Sequence, residues 1–207
     1  MKWNLDKIIF LYQPDVFLGS FDSPQMQLRH EQELEEKLVK IKGALAEEAD
    51  PLKAMYILNH RDHIQFLTNN IDEFRHCGKF EEAVLFLYGK ENAPFSSGGD
   101  AALWEKLFNL CDKTGLRKCG KPLFPDSTTA YRGSVTGFRR SLAWTPDIKR
   151  ARRFAERWKD TSQGGGEIYE VDMSKDAVLV YMSGRSEDVI ILSPDFIKTA
   201  DIRPFSG

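Results

Sequence analysis

Three stretches of the chain combine residue types that do chemistry, and they follow one another in chain order. Tyr131-Arg132-Gly133 ends a strand-like run that opens at Thr128. Ser141-Leu142-Ala143-Trp144-Thr145-Pro146-Asp147 offers two hydroxyls immediately before a helical pattern. Glu187 and Asp188 stand directly ahead of the apolar run Val189 to Leu192. A guanidinium is a planar fork that makes paired, charge-assisted bonds to phosphate or ribose oxygens, and Arg132 is the candidate for that task. A carboxylate held where positive charge develops stabilises a transition state, typically by roughly 3–4 kcal/mol per oriented group. Glu187 and Asp188 are the two candidates. Glu187, with the longer arm, is the favoured candidate, and Asp188, which stands next to the apolar run, is the alternative.

The elements that must position these groups are legible in outline. Thr128 to Gly133 reads as a strand entering a turn. Thr145-Pro146-Asp147 reads as an N-cap followed by proline at the first helical position, with Ile148, Ala151, Phe154, Ala155 and Trp158 at helical spacing behind it. Thr161 to Gly166 is a flexible connection, and three strand-like pieces follow: Glu167 to Val171, Ala177 to Tyr181 and Val189 to Leu192.

The first half is helical in pattern. Residues 1–24 fit a short helix or a strand equally well. From Gln25 to Glu48, Leu34, Leu38, Ile41 and Leu45 recur at helical spacing, with glutamates early and lysines late as the helix dipole favours. Asp50-Pro51 opens one or two helices carrying Met55, Leu58, Ile64, Leu67 and Ile71, which Gly78 can end. Phe80 to Tyr88 is another helical piece, Asn92 to Asp100 is turn chemistry, and Asp100 can cap a helix bearing Leu103, Trp104, Leu107, Phe108 and Leu110. Gly115, Gly120, Pro122 and Pro125 close the helical half. The expected fold class is therefore α+β, with a helical domain over residues 1–115 and a second domain over 116–207.

The order of the three chemical stretches resembles the ADP-ribosyltransferases of the arginine–serine–glutamate class, found among bacterial toxins and phage effectors. The resemblance covers about residues 128–203 and includes the Ala151-x-x-Phe154-Ala155 helix and the Glu167 to Asp172 strand. It implies a small split β-sheet core on which the helical half packs, NAD as the bound cofactor, and transfer of its ADP-ribose to a protein acceptor, with arginine as one candidate acceptor residue. It further implies that Tyr131, Arg132, Gly133, Ser141, Trp144, Thr145 and Phe154 line the NAD site, with Glu187 or Asp188 catalytic. Cleavage of the nicotinamide–ribose bond passes through an oxocarbenium-like state, as glycoside cleavage does, which is why the site wants a carboxylate. Two positions depart from the family pattern. Ala143 stands where a family hydroxyl precedes the tryptophan position, and Asp188 stands where a glutamate usually precedes the apolar strand. Either Thr145 or Ser141 can supply the remaining hydroxyl.

Composition narrows the field. A chain of 207 residues, 42% hydrophobic and 29% charged, can bury a core. A formal net charge of -2 supplies no general attraction to nucleic acid or anionic lipid. Arg139, Arg140, Lys149, Arg150, Arg152, Arg153, Arg157 and Lys159 form a local basic patch, read as a solvated helix face or, less favoured, as attraction for a diphosphate, an acidic protein or nucleic acid. Cys77, Cys111 and Cys119 are read as reduced thiols of a cytoplasmic protein. His60 and His63 share a helical face without further metal ligands. Asp6, Asp15 and Asp22 interrupt the N-terminal apolar residues, so no signal peptide and no membrane partner are expected.

Overall fold

The computed structural model describes residues 3–13, 23–90, 100–121, 127–135, 137–156, 166–184 and 187–206. The loop expected over residues 92–99, the connection over 161–165, Arg157, Trp158 and Lys159 lie outside them. The fold is α+β, and the chain divides into two compact units, Met1–Asp100 and Ala101–Gly207.

In the first unit, α1 (Pro24–Glu47) starts where the Ser23 side chain accepts from the Met26 amide and proline takes the first helical position. The expected charge gradient does not reach its ends. Its first turn holds no acidic residue and its last turn no basic one. The partial charges of a helix act within one terminal turn, so the glutamates and lysines of its middle gain nothing from them. Leu45 is fully buried, while Leu34, Leu38 and Ile41 are half-buried, as in a helix lying on a surface.

Asp50 caps α2 (Pro51–Ile57), its carboxylate accepting from the Leu52 and Lys53 amides. A short turn at His60–Asp62 leads into α3 (His63–Asn69), followed by α4 (Ile71–His76). Gly78, at φ +63°, ends α4: the Lys79 amide donates to the Phe74 carbonyl and the Gly78 amide to Arg75. This double closure requires a left-handed residue after the last turn, which glycine adopts at least cost. Then α5 (Phe80–Lys90) completes a core around Met55, Phe66, Leu67, Phe74 and Phe80. Residues 3–13 form neither a regular helix nor a strand. They hold a turn closed by the Ile8 amide on the Leu5 carbonyl and a short 3-10 turn, Phe10–Tyr12, whose buried anchor is Asp62: its carboxylate accepts from the Ile9, Phe10 and Leu11 amides at 3.0–3.2 Å.

The second unit opens with α6 (Ala101–Leu110), which buries Trp104, Leu107 and Phe108, and α7 (Lys113–Lys118). Gly115 does not end the helical part as its residue type suggests. Asp112 accepts from the Gly115 amide at 2.7 Å, and this cap outweighs the low helix propensity of one glycine.

Two three-stranded antiparallel sheets follow among the described residues, in the orders β1-β3-β6 and β2-β5-β4. Their strands are β1 (Ser127–Ser134), β2 (Ala143–Trp144), β3 (Glu167–Ser174), β4 (Val178–Gly184), β5 (Glu187–Leu192) and β6 (Arg203–Pro204). A pair of backbone bonds between Tyr131 and Thr145, 2.7 and 2.8 Å, joins β1 to the residue that follows β2. The two sheets thereby meet at one bridge. The remaining helices are α8 (Ile148–Glu156) and α9 (Pro194–Thr199). No helix among the described residues is long and apolar enough to cross a membrane.

Candidate functional site

The strand β1 carries the first motif, and two of its residues are fixed by packing. A Cβ built on Gly133 would lie 1.9 Å from the Ala151 carbonyl oxygen and 2.5 Å from the Ala155 nitrogen. Only glycine lets the backbone of α8 lie directly on β1, and α8 meets it there with its two small buried residues, Ala151 and Ala155. Gly133 is thus covered by protein. Tyr131 bonds Thr145 through its backbone and sets its ring edge-on to Phe205 at 5.5 Å.

Arg132 is half-buried. Its Nε donates to the Phe138 carbonyl at 3.1 Å and its Nη1 to the Ala143 carbonyl at 3.0 Å. The fork expected to hold a phosphate holds the connection that leads into β2. Opposite Arg132 on β3 stands Tyr169, whose hydroxyl donates to Glu167 and lies 3.1 Å from the Gly137 carbonyl. Burial first, then the bond and charge of Glu167, push its pKa up to about 12, against the neighbouring Arg139 and Arg132 charges.

The second motif is largely interior. Trp144 is 2% exposed, and its indole N–H donates to the Ser141 carbonyl at 2.7 Å. Ser141 is buried and its hydroxyl accepts from the Ala143 amide at 3.5 Å. Phe154, on α8, is half-buried. Thr145 is buried, but it is not the helix cap. Its hydroxyl accepts from the Asp147 amide at 3.3 Å, and Asp147 caps α8 by accepting from Lys149 at 2.8 Å. Pro146 therefore precedes the cap, because the Thr145 hydroxyl closes a turn one step earlier.

The third motif stands at the entrance of β5, as the sequence suggests. Glu187 opens the strand opposite Gly184, and its side chain lies outside the described residues. Asp188 pairs with Ser183 across β4 and sits in a dense polar cluster. One of its oxygens accepts from the Tyr181 hydroxyl at 2.9 Å, and the other lies 3.0 Å from Nη2 of Arg150. Lys121 donates to the Ser183 hydroxyl at 3.0 Å. Hydrogen bonds from Ser183 and Tyr181 hold the Asp188 carboxyl below the ordinary carboxylate range, with Arg150 and Lys121 adding to them and burial opposing.

Arg150 is the residue that sequence reasoning missed. It was grouped with a solvated basic face, yet its side chain is 19% exposed and bonds both Asp188 and, through Nε at 3.4 Å, Asp147. The signal was present, because Asp147 and Arg150 are three apart and share a helix face. A second member of the patch, Arg140, donates to the carbonyls of Ile197 and Lys198 at the end of α9. Among the described residues, the buried Nη1 of Arg150 meets no hydrogen-bond partner. A continuous chain of polar contacts thus runs from the Thr145 hydroxyl through Asp147, Arg150 and Asp188 to Tyr181 and Ser183. It joins the second motif to the third.

Register separates Arg132 from this cluster. Ala143, whose carbonyl Arg132 holds, pairs with Ile191, three residues along β5 from Asp188, or about 10 Å of strand. Among the described residues no group of three or more His, Cys, Asp or Glu could hold a metal ion. The chain matches no protein-family model, no curated protein and no solved structure.

Proposed function

We propose that the second unit binds NAD and transfers its ADP-ribose to a protein acceptor, as the arginine–serine–glutamate ADP-ribosyltransferases do. The observation that carries this reading is that one chain of polar contacts joins the second motif to the third, with the first motif on the strand bridged to it. Arg132 lies on β1, Thr145 is bridged to β1 beside it, and Asp188 lies on β5, which pairs with β2. Two small sheets meeting at that bridge suit the split-sheet core of the class.

The donor set fits the ligand. Asp188 or Glu187 would offer a carboxylate to the ribose, and Arg132, whose Nε and Nη1 hold the Phe138 and Ala143 carbonyls, would exchange one of them for a phosphate or ribose oxygen on binding. In the transfer, the bond between nicotinamide nitrogen and ribose carbon breaks, nicotinamide leaves with the electron pair, and an acceptor lone pair forms the new bond as the acceptor loses a proton. The carboxylate opposes the positive charge that develops on the ribose. The notional setting is a cytoplasmic toxin or phage effector acting on a host protein.

Incubation with adenylate-labelled NAD and candidate acceptor proteins is expected to label protein and release nicotinamide. Arg132→Ala should abolish both, as should Glu187→Gln and Asp188→Asn combined. Full activity in these variants would remove the site assignment.

The Arg150–Asp188 ion pair favours a second reading, in which the unit binds NAD or a related nucleotide without turnover, because the carboxylate is already neutralised. Calorimetric NAD binding without nicotinamide release over long incubation would select it. Absence of both binding and release would reject both readings.

A further inference from the structure

We infer that Arg150, with Tyr181 and Ser183, positions Asp188 as the carboxylate that faces the ribose of NAD; the inference rests on the transferase reading above. The family pattern places a hydroxyl two residues ahead of Thr145, where this chain has Ala143, so β2 cannot supply that side chain. The fold supplies substitutes from other elements. Tyr181 and Ser183, both on β4, bond the carboxylate from the neighbouring strand. Arg150 reaches it from α8, and α8 is itself held against β1 at Gly133.

The geometry constrains the carboxylate at both oxygens: one takes the tyrosine hydroxyl at 2.9 Å and the other the guanidinium at 3.0 Å. A carboxylate tethered at both ends has a fixed plane, which is what a group acting on one carbon of a bound sugar requires. Arg150 is itself tethered, its Nε at 3.4 Å from Asp147, so the helix cap sets where the guanidinium stands.

Among the described residues, the charged and titratable groups facing Asp188 are Arg150 and Asp147 from α8, Tyr181 from β4, and Lys121, which bonds Ser183 from the segment beside β4. The cations outnumber the other carboxylate in their effect on Asp188, whose ionised form is favoured. Removing Arg150 or the Tyr181 hydroxyl should therefore raise the pH at which Asp188 takes up a proton.

The test is nicotinamide release from NAD against pH for the whole chain and for Arg150→Ala, Arg150→Lys and Tyr181→Phe. The expected result for Arg150→Ala is a kcat about 100-fold lower. KM for NAD should stay within about threefold, because the group is not asked to bind substrate. The acid limb of the profile should move to higher pH in Arg150→Ala and, less, in Tyr181→Phe. Arg150→Lys should restore part of kcat, since it keeps the charge and loses the fork. Tyr181→Phe removes one oxygen atom and guards against loss of the fold in the alanine variant. Wild-type release with unshifted profiles in both Arg150→Ala and Tyr181→Phe overturns the positioning role and leaves the transferase reading standing. No release by the wild-type chain with any acceptor overturns both.

Discussion

Arg150 Nη2 stands 3.0 Å from a carboxylate oxygen of Asp188, across 38 residues of chain, with the side chains 19% and 24% exposed. An ion pair this sheltered is screened less than a surface pair, and its loss leaves the partner charge poorly solvated. It ties α8 to β5, and with Gly133 beneath α8 it makes one helix the common support of two sheets.

The linkage of Asp188 to stability has a definite sign. Its folded pKa is depressed, so its contribution is present above the unfolded carboxylate pKa of about 3.9 and is lost as pH falls through the lower folded value. Urea unfolding of the wild type and of Asp188→Asn should therefore differ most above about pH 5 and converge below about pH 3. A gap that is constant from pH 7 to pH 2 would contradict the assigned network.

Gly133→Ala is expected to be among the most disruptive single-methyl changes in the chain, because the added carbon meets backbone on α8 and not a movable side chain. Overpacking of this kind costs about 3 kcal/mol. The contrast is Gly43→Ala, in the middle of α1, where nothing lies within 4 Å of the new carbon. That change should stabilise by about 0.5–1 kcal/mol through helix propensity. Thermal unfolding of the two variants should move Tm in opposite directions.

Asp62→Ala removes a carboxylate, 2% exposed as a residue, that serves three backbone amides. The expected cost is about 3 kcal/mol, since the amides of Ile9, Phe10 and Leu11 lose their acceptor. Hydrogen exchange should accelerate at those three amides before it does in α5.

Tyr169, with its pKa raised to about 12, should remain protonated at pH 11, where an ordinary phenol is mostly ionised. Ultraviolet titration of the wild type should show a late-ionising phenol that is missing in Tyr169→Phe. The folded state favours the neutral phenol, so its contribution to stability is present below pH 10 and is lost as pH rises toward about 12.

The sequence alone fixed what depends on neighbours along the chain. Asp50-Pro51 starts a helix because a carboxylate and a proline at those two positions satisfy and pre-set its first turn, and Gly78 ends one because the next residue must be left-handed. The α+β class and the strands containing Val171, Val180 and Ile190 were equally readable from apolar patterning. So were the three motifs and their order. What only tertiary structure decided is which charges meet. Arg150 reads as one more cation on a basic helix until α8 is laid on β1, and that placement depends on a missing Cβ at Gly133 against a backbone 18 residues further on. Arg132 reads as a ligand-binding fork until the carbonyls of Phe138 and Ala143 fold back onto it. Charge partnership is a property of distance in space, and pattern along the chain carries it only within a helical turn or a hairpin.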